Sequence, residues 1–423
     1  MRVLGIVVEY NPFHYGHLHH LRESIRLVKP DYVVAVMSGN FCQRGEPAIV
    51  NKYARTKIAL LNGVDLVLEL PTVYAIQDAG GFAVGSIGVL HKTGVVTDIV
   101  FGSESGDIDF LKRVAHTLVN QTPEFQAEFK KQLKMGFSYP NARKYALMGT
   151  LSDDVAKLSK SNDILGIEYI KALMQYKSEI EPHVIKRVGA DYNDPEFKGR
   201  LSSATAIRKV VKAGQFETIR EAVPPATYEV LREEFEKGRG PVFWEYLEFV
   251  IAVFRKMKRE EFEKIYSFNE GLDLRFWEAA RQTGDLQQFV ELVKAKRFTY
   301  SRIRRAILHV LFDLEKEKME KSNALGPQYL RILGFNTKGR ELLREIKKKS
   351  SVPLIATASL YKQVLEDVEK QQAEGKREWQ VDGDLYIWQF EKDVLASDIY
   401  SFLYPNKSVR SAGMDFEQQP VML

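Results

Sequence analysis

Short apolar runs alternate with segments of helical periodicity through the first part of the chain. Four runs, at residues 3–8, 32–37, 64–70 and 95–101, are rich in β-branched residues, and a shorter run occurs at 184–188. Runs of this kind are typical of parallel strands that are covered on both faces. Because the segments between them have the spacing of amphipathic helices, the pattern predicts an α/β fold with a Rossmann-like, doubly wound parallel sheet.

The turn after the first run carries the most informative polar residues. Asn11 and Pro12 end the strand, and His14, Gly16 and His17 follow where helical spacing begins. Ligands bind at the carboxyl ends of parallel strands, and a helix N-terminus attracts phosphate. Two imidazoles can donate there to phosphate oxygens, while Gly16 permits close approach. The segment therefore predicts a site that holds a nucleoside triphosphate while its α-phosphorus is attacked.

Beyond residue 214 the pattern changes to charged, amphipathic helices. Residues 216–349 are predicted to be entirely helical, residues 352–357 form a candidate strand, and residues 379–404 add a helical or strand pair. We place the domain boundary near Ala213 and Gly214. Residues 1–213 are then a nucleotide-binding catalytic domain, and residues 214–423 are a mainly helical domain.

A later segment, LSSATAIR at residues 201–208, offers a second contact for phosphate. Ser202 or Ser203 is predicted to cap a helix, and Arg208 follows just over one turn later. One interpretation is a plain capping motif. The other is a clamp whose hydroxyls and guanidinium face the triphosphate.

The most basic stretch of the chain, residues 294–305, contains no acidic residue. Phe298 and Tyr300 lie between its cations, so the segment could track a phosphate backbone while an aromatic ring stacks on a base. The alternative is a solvated helix face, and the sequence leaves both open. The candidate tRNA-binding residues are Lys294, Lys296, Arg297, Arg302, Arg304 and Arg305.

Composition places the chain among ordinary soluble globular proteins. Its 423 residues are 45% hydrophobic and 28% charged, which suits two or three domains. Cys42 is the single cysteine, so no disulfide can form within the chain, as is usual in a reducing cytosol. The N-terminal apolar run is too short for a secretory signal, and no run is long enough to cross a membrane. We therefore expect a cytoplasmic protein.

These motifs resemble those of the nucleotidyltransferase superfamily, which carries an H-x-G-H signature and a later I-S-S-x-x-I-R type signature. Leu201 stands here where isoleucine is usual, and Ala204 falls within the serine run. Longer segments are similar to the bacterial tRNA(Met) cytidine acetate ligase family. They include GIVVEYNPFHYGH, VAVMSGNFCQRGEPA, GVDLVLELP, FGSESGDI, KSNDILGIEYIKAL, YSRIRRAILH and YLRILGFNTKGRELL.

The resemblance implies a two-step reaction. ATP and acetate would form acetyl-adenylate with release of diphosphate, and Mg²⁺ is expected with the triphosphate. The acetyl group would then pass to the exocyclic amine of the wobble cytidine in elongator tRNA(Met), giving N4-acetylcytidine and AMP. The alternatives are a small-molecule adenylyltransferase of cofactor biosynthesis and a non-catalytic RNA-binding protein.

The resemblance also implies roles for particular residues. His14 and His17 are the candidate catalytic residues. Arg44 and Lys52 are candidates for holding acetate on a different ground, their position in or beside the loop after the second predicted strand. Asn162 has a second interpretation, as the N-cap of a helix over 163–174. For His19 and His20, helical spacing predicts side chains that face solvent, away from the face shared by His14 and His17. The implied ATP-binding set is Val7, Val8, Glu9, Tyr10, Asn11, Pro12, Phe13, His14, Gly16, His17, Leu18, His20, Gly102, Asn162, Arg187, Ser203 and Arg208.

Overall fold

The computed structural model describes residues 1–137, 139–151, 161–187 and 196–423. Its strands are β1 (Val3–Val8), β2 (Tyr32–Ser38), β3 (Phe41–Cys42), β4 (Glu46–Pro47), β5 (Leu66–Leu70), β6 (Asp98–Ser103), β7 (Glu181–Lys186), β8 (Leu330–Phe335), β9 (Leu354–Ile355) and β10 (Val421–Met422).

The helices fall into two groups along the chain. Those before residue 240 are α1 (Tyr15–Val28), α2 (Lys52–Leu61), α3 (Thr72–Ala75), α4 (Ala79–Lys92), α5 (Ile108–Asn120), α6 (Pro123–Lys134), α7 (Tyr139–Leu151), α8 (Ser161–Gln175), α9 (Ala204–Lys212) and α10 (Pro225–Glu236). Those after it are α11 (Val250–Lys256), α12 (Arg259–Phe262), α13 (Leu272–Gln282), α14 (Leu286–Val293), α15 (Tyr300–Leu311), α16 (Lys316–Leu325), α17 (Thr337–Lys349), α18 (Tyr361–Ala373), α19 (Gly383–Phe402) and α20 (Met414–Glu417). Among the described residues, no helix is both long and apolar enough to pass through a lipid bilayer.

The central sheet confirms the predicted doubly wound α/β fold. Its strand order is β10-β8-β5-β2-β1-β6-β7, with β9 beside β8. The strands β5, β2, β1, β6 and β7 are parallel, whereas β8 is antiparallel to β5. After β1 the chain winds outward through β2 and β5, and it then returns to the other side of β1 to form β6. This reversal creates a switch point between β1 and β6, where ligands bind in open α/β sheets.

Both faces of the sheet are covered, which explains the unbroken apolar runs. Val34 and Val36 of β2 pack into a core with α4, α5 and α8, whereas Val33 and Ala35 pack on the opposite face against α1 and α2. Because successive strand residues point to opposite faces, burial on both sides requires an apolar residue at nearly every position.

The second half of the chain is largely helical, but it also extends the sheet. The prediction that residues 216–349 are entirely helical is wrong at Leu330–Phe335, which form β8. A six-residue apolar run cannot be assigned to helix or strand from periodicity alone. Since β8, β9 and β10 join the same sheet as β1, the boundary at residues 213 and 214 does not separate the sheet from the helical half.

A buried cluster of four charges joins the two halves of the chain. Lys52 on α2 lies 2.8 Å from Glu69 on β5 and 3.0 Å from Asp415 on α20. Arg331 on β8 contacts the same two carboxylates at 3.2 and 3.1 Å. All four side chains are 3% exposed or less. Each cation therefore faces two anions, and the cluster is neutral overall, as buried charge requires.

Replacing Lys52 tests the structural role of this cluster. We expect Lys52→Met to lower the free energy of unfolding by about 3–5 kcal/mol, because two buried carboxylates lose a shared cation. Lys57→Met on the same helix is the control: Lys57 pairs with Glu233 at 3.0 Å with both side chains more than a third exposed. The control should cost less than about 1 kcal/mol. Equal effects in urea unfolding would contradict this role.

Candidate nucleotide-binding site

A cavity of about 410 Å³ opens at the switch point between β1 and β6. Its walls come from the ends of β1, β6 and β7, the first turns of α1, α4 and α8, and the β3–β4 hairpin. The volume is within the range of small-molecule binding sites. The predicted ATP-binding residues that line it are Val7, Val8, Glu9, Tyr10, His14, Gly16, His17, His20, Gly102, Asn162 and Arg187.

Three other predicted ATP contacts support the turn instead of lining this cavity. Phe13 is fully buried, Leu18 is 9% exposed, and Pro12 is also buried. Phe13 and Leu18 pack in the apolar core beneath α1. Direct ATP contact by these side chains is therefore not supported, because they fix the position of the helix from below.

The rings of His14 and His17 each accept a hydrogen bond from a backbone N–H at the start of α1. The backbone N–H of Gly16 donates to Nδ1 of His14 at 3.0 Å, and the backbone N–H of His14 donates to Nδ1 of His17 at 3.3 Å. The ring centroids lie 3.8 Å apart. Because Nδ1 of each neutral ring accepts a hydrogen bond, we assign the proton to Nε2. Each ring thus retains one N–H donor for a ligand.

Burial and neighbouring cations keep these rings neutral. Burial, reinforced by Arg187 and Arg208, lowers the pKa of His14 to about 3. Burial and the adjacent His14 hold the pKa of His17 well below its usual value. The permanent positive charge of the site is therefore carried by arginines, and the imidazoles act as neutral donors at pH 7.

The prediction that His19 and His20 both turn toward solvent is wrong for His20. His19 is exposed at the rim, whereas His20 is partly buried and lines the cavity. Burial lowers the pKa of His20 to about 4. The implied ATP contact by His20 is therefore compatible with its place in the fold.

Asn162 lines the cavity and is held in place by two carboxylates, Glu104 and Asp163, that are not themselves lining residues. Asn162 donates its amide to Glu104 at 2.6 Å, and the same carboxylate accepts the backbone N–H of Asp163 at 2.9 Å. Asp163 in turn accepts hydrogen bonds from the backbones of Glu104 and Ser105, each at 3.1 Å. Asn162 lies within the first turn of α8 and is not its N-cap. Sequence reasoning missed Glu104 and Asp163, because isolated acidic residues give no spacing signal.

A second cavity, of about 30 Å³, adjoins the first at the N-terminus of α9. Ser203 caps this helix through Ala206, and Ala204 and Thr205 line the cavity. Arg208 also lines it and donates to the backbone oxygen of Asn11 at 2.8 Å. A helix N-terminus beside a guanidinium attracts anions. The structure confirms the cap at Ser203. The phosphate clamp stays a prediction, with which the position of Arg208 is compatible.

The two candidates for holding acetate lie in different environments. Arg44, at the tip of the β3–β4 hairpin, lines both cavities. Lys52 lines neither of them, and its ammonium is committed to the buried cluster with Glu69 and Asp415. The assignment of Lys52 to acetate is therefore corrected to a structural role. The sequence could not reveal this, because Asp415 is 363 residues away.

Cys42 lies in the wall of the small cavity. Its sulfur accepts a hydrogen bond from Asn11 at 3.6 Å, and burial raises its pKa well above the usual thiol value. A protonated, buried thiol is a poor nucleophile. Cys42 is consequently unsuited to carry an acyl group.

The basic segment at residues 294–305 divides into an outward-facing part and an inward-facing part. Lys296 and Arg297 are exposed, and Tyr300 is 45% exposed. Phe298 is 1% exposed, so it cannot stack on a base. Lys294 is partly buried.

The last three arginines of this segment are engaged within the protein. Arg302 contacts Glu270 at 3.1 Å, Arg304 pairs with Glu46, and Arg305 donates to the backbone oxygen of Gln43 at 3.3 Å. The prediction that the whole segment contacts RNA is therefore narrowed to its exposed beginning.

Over the ranges that the structure describes, no group of three His, Cys, Asp or Glu side chains is arranged to hold a metal ion.

The sequence model of the HIGH Nucleotidyl Transferase family matches residues 1–415. The chain is 72% identical, over 100% of its length and 99% of the relative, to tRNA(Met) cytidine acetate ligase of Fervidobacterium nodosum. It is 52% identical to the same enzyme of Thermotoga maritima, covering 98% of this chain and 99% of that one. A crystal structure of Thermotoga maritima TmcAL without ligand superposes with a TM-score of 0.96, at 52% identity and full coverage of both chains. The form bound with alpha-thio ATP superposes with a TM-score of 0.94, again at 52% identity and full coverage of both chains.

Acidification should destabilise the fold through the histidines of the site. Folded pKa values of about 3 for His14 and about 4 for His20 lie below the unfolded value of about 6.5. The unfolded chain therefore binds more protons below pH 6.5, and stability present above that pH is lost as pH falls toward the folded values. Between pH 7.5 and 5.5 we expect a loss of about 1 kcal/mol per histidine in urea unfolding. A His20→Asn variant should show a shallower dependence, and an unchanged slope would contradict this assignment.

Proposed function

This chain belongs to the HIGH nucleotidyl transferase family, and from that premise we propose that it is a tRNA(Met) cytidine acetate ligase. It activates acetate with ATP and transfers the acetyl group to N4 of the wobble cytidine in elongator tRNA(Met). One observation carries the proposal: two helix N-termini, those of α1 and α9, meet at adjoining cavities in a chain that matches ligases of this name from end to end.

The two cavities suit the two ends of ATP. Adenosine would occupy the large cavity, where Gly102 lets a ligand approach the end of β6 and Asn162 offers an amide. The triphosphate would pass the N-terminus of α1 and reach toward Thr205 and Arg208 at the start of α9. Helix N-termini and guanidinium groups are the usual partners of phosphate. This orientation places His14 and His17 beside the α-phosphorus.

In the first step an acetate oxygen attacks the α-phosphorus and diphosphate leaves, giving the mixed anhydride acetyl-adenylate. The reaction needs no protein nucleophile, because acetate is itself the attacking carboxylate. The protein positions the reactants and stabilises charge that grows on the phosphoryl oxygens. The Nε2–H groups of His14 and His17 serve that purpose. Arg44 is the candidate to hold acetate, since it lines both cavities.

In the second step the N4 amine of the cytidine attacks the acetyl carbonyl. The bond from that carbonyl to the AMP oxygen breaks, AMP leaves, and the amine nitrogen loses a proton to give N4-acetylcytidine. The exposed part of the basic segment, with Lys296, Arg297 and Tyr300, is suited to bind the tRNA backbone and to stack on a base. It leads directly into α15, which contacts the hairpin that lines the cavity.

The proposal also includes a magnesium ion that accompanies ATP and a location in the cytoplasm. Mg²⁺ would come with ATP and would supply positive charge that offsets the charge of the triphosphate. The nearest carboxylates of the small cavity are already engaged, Glu9 with the backbone of Gln43 and Glu46 with Arg208 and Arg304. The protein therefore fits a magnesium that is held mainly by the triphosphate. We propose that the enzyme works in the cytoplasm, where tRNA and ATP are available.

Replacing His17 tests the adenylate-forming step. We expect His17→Ala to reduce acetate-dependent ATP–diphosphate exchange by about 10²–10³, the usual effect of losing one transition-state donor. Binding of tRNA should hardly change. His116→Ala on α5 is the control, because His116 is exposed and its ring bonds to Asn120 within its own helix.

The same assay separates the competing functions. Wild-type protein with ATP, labelled acetate and bacterial tRNA should label elongator tRNA(Met). Exchange that ignores acetate and requires a nicotinate or pantetheine nucleotide precursor would instead favour a cofactor adenylyltransferase. Tight tRNA binding without any exchange would favour a non-catalytic RNA-binding protein.

The exposed cations of the basic segment generate a separate prediction. The double change Lys296→Ala with Arg297→Ala should weaken tRNA binding and reduce the slope of log K against log salt by about 1–2. Filter binding between 50 and 200 mM salt measures this. Lys362→Ala with Lys370→Ala, two exposed lysines of α18, removes the same charge elsewhere. If both double variants weakened tRNA binding equally, affinity would depend only on total charge. The assignment of the basic segment to RNA binding would then be wrong.

A further inference from the structure

The β3–β4 hairpin connects the nucleotide cavities with the second half of the chain. Its tip, Gln43 and Arg44, lines the large cavity. On the other side, Phe41 packs against Phe312 with ring centroids 5.0 Å apart. Gly45 has a φ of +77°, and a Cβ there would lie 2.6 Å from the backbone nitrogen of Arg305. The turn therefore rests directly on the first turns of α15, which fixes the hairpin relative to that helix.

Glu46, at the base of this hairpin, lies between two arginines. One carboxylate oxygen is 3.5 Å from Nη2 of Arg208, and the other accepts a hydrogen bond from Nη1 of Arg304. The three side chains are 18–25% exposed. Because they are largely shielded from water, the charges interact more strongly than surface pairs do. Glu46 thus forms ion pairs with Arg208 on α9 and with Arg304 on α15.

A bound triphosphate and Glu46 would both interact with the Arg208 guanidinium. Arg208 lines the small cavity at the N-terminus of α9, where the phosphate tail would lie. Glu46 lines the same cavity and carries the same sign of charge as the phosphate. If Glu46 had Arg208 as its only partner, it would compete with the ligand for that guanidinium. A second cation on Glu46 removes the competition.

We propose that Arg304 is a positioning residue of the ATP site. It holds the Glu46 carboxylate on the α15 side and so frees the Arg208 guanidinium for the triphosphate. This inference rests on the proposed function, because it takes the phosphate tail to lie at α9. It also reassigns Arg304, which the sequence grouped with the RNA-binding cations. Its guanidinium faces inward and lies over the ring of Trp244 at 5.1 Å.

A double-variant cycle tests the inference through the Michaelis constant for ATP in acetate-dependent exchange without tRNA. Arg304→Gln should raise this constant about tenfold, since Glu46 then occupies Arg208, while kcat changes less than about threefold. Adding Glu46→Gln to that variant should restore most of the affinity. Glu46→Gln alone should not raise the constant. Rescue by a second substitution is not expected if Arg304 only stabilises the fold.

The controls separate this role from RNA binding and from folding. Arg304→Lys keeps the charge and should keep most of the ATP affinity. Arg259→Ala removes a more exposed arginine of the helical half, which pairs with Asp273 at 2.8 Å, and should leave the constant unchanged. An Arg304→Gln protein that binds tRNA poorly but ATP normally would overturn the inference, as would a double variant no better than the single one. Absence of exchange in the wild-type protein would instead refute the proposed function itself.

Discussion

Two capping hydrogen bonds, from the Gly16 N–H to the His14 ring and from the His14 N–H to the His17 ring, determine what the site can do. Nδ1 of each ring accepts a hydrogen bond from a backbone N–H at the start of α1, so the proton of each neutral ring lies on Nε2 and can be donated to a ligand. The same two bonds satisfy backbone donors that a helix N-terminus otherwise leaves free. Helix capping and ligand binding thus depend on one arrangement. The apolar packing of Phe13 and Leu18 beneath the turn is what holds that arrangement in place.

The second half of the chain is part of the architecture that supports the site. The strand β8 pairs with β5, and Arg331 on β8 contributes to the buried cluster with Lys52 and Glu69. The hairpin at the cavity is likewise fixed by contacts with α15. The helical half, where we propose that RNA binds, is consequently connected to the nucleotide site through packed elements. Transfer of an acetyl group from a bound adenylate to a base of a large RNA would depend on such fixed distances.

The sequence predicted the features that arise from local patterns. Apolar runs located the parallel strands, and the turn after β1 correctly placed His14, Gly16 and His17 at a cavity. Features that depend on distant partners could not be predicted. Lys52 finds its anion Asp415 near the other end of the chain, and Phe298 is buried although basic residues surround it. The short strand β8 could not be identified from periodicity, because its burial is created by the sheet that it joins.

The distribution of charge in the site follows from the need to release diphosphate as well as to bind ATP. Interactions that are equally strong before and during reaction lower the Michaelis constant without raising kcat. Neutral imidazole donors interact modestly with a ground-state phosphate and more strongly as negative charge accumulates on its oxygens. If lysines replaced His14 and His17, the site would hold ATP and diphosphate tightly throughout. The low pKa values that burial imposes on these histidines would therefore favour turnover in the proposed reaction, while Arg187 and Arg208 place permanent positive charge in the two cavities.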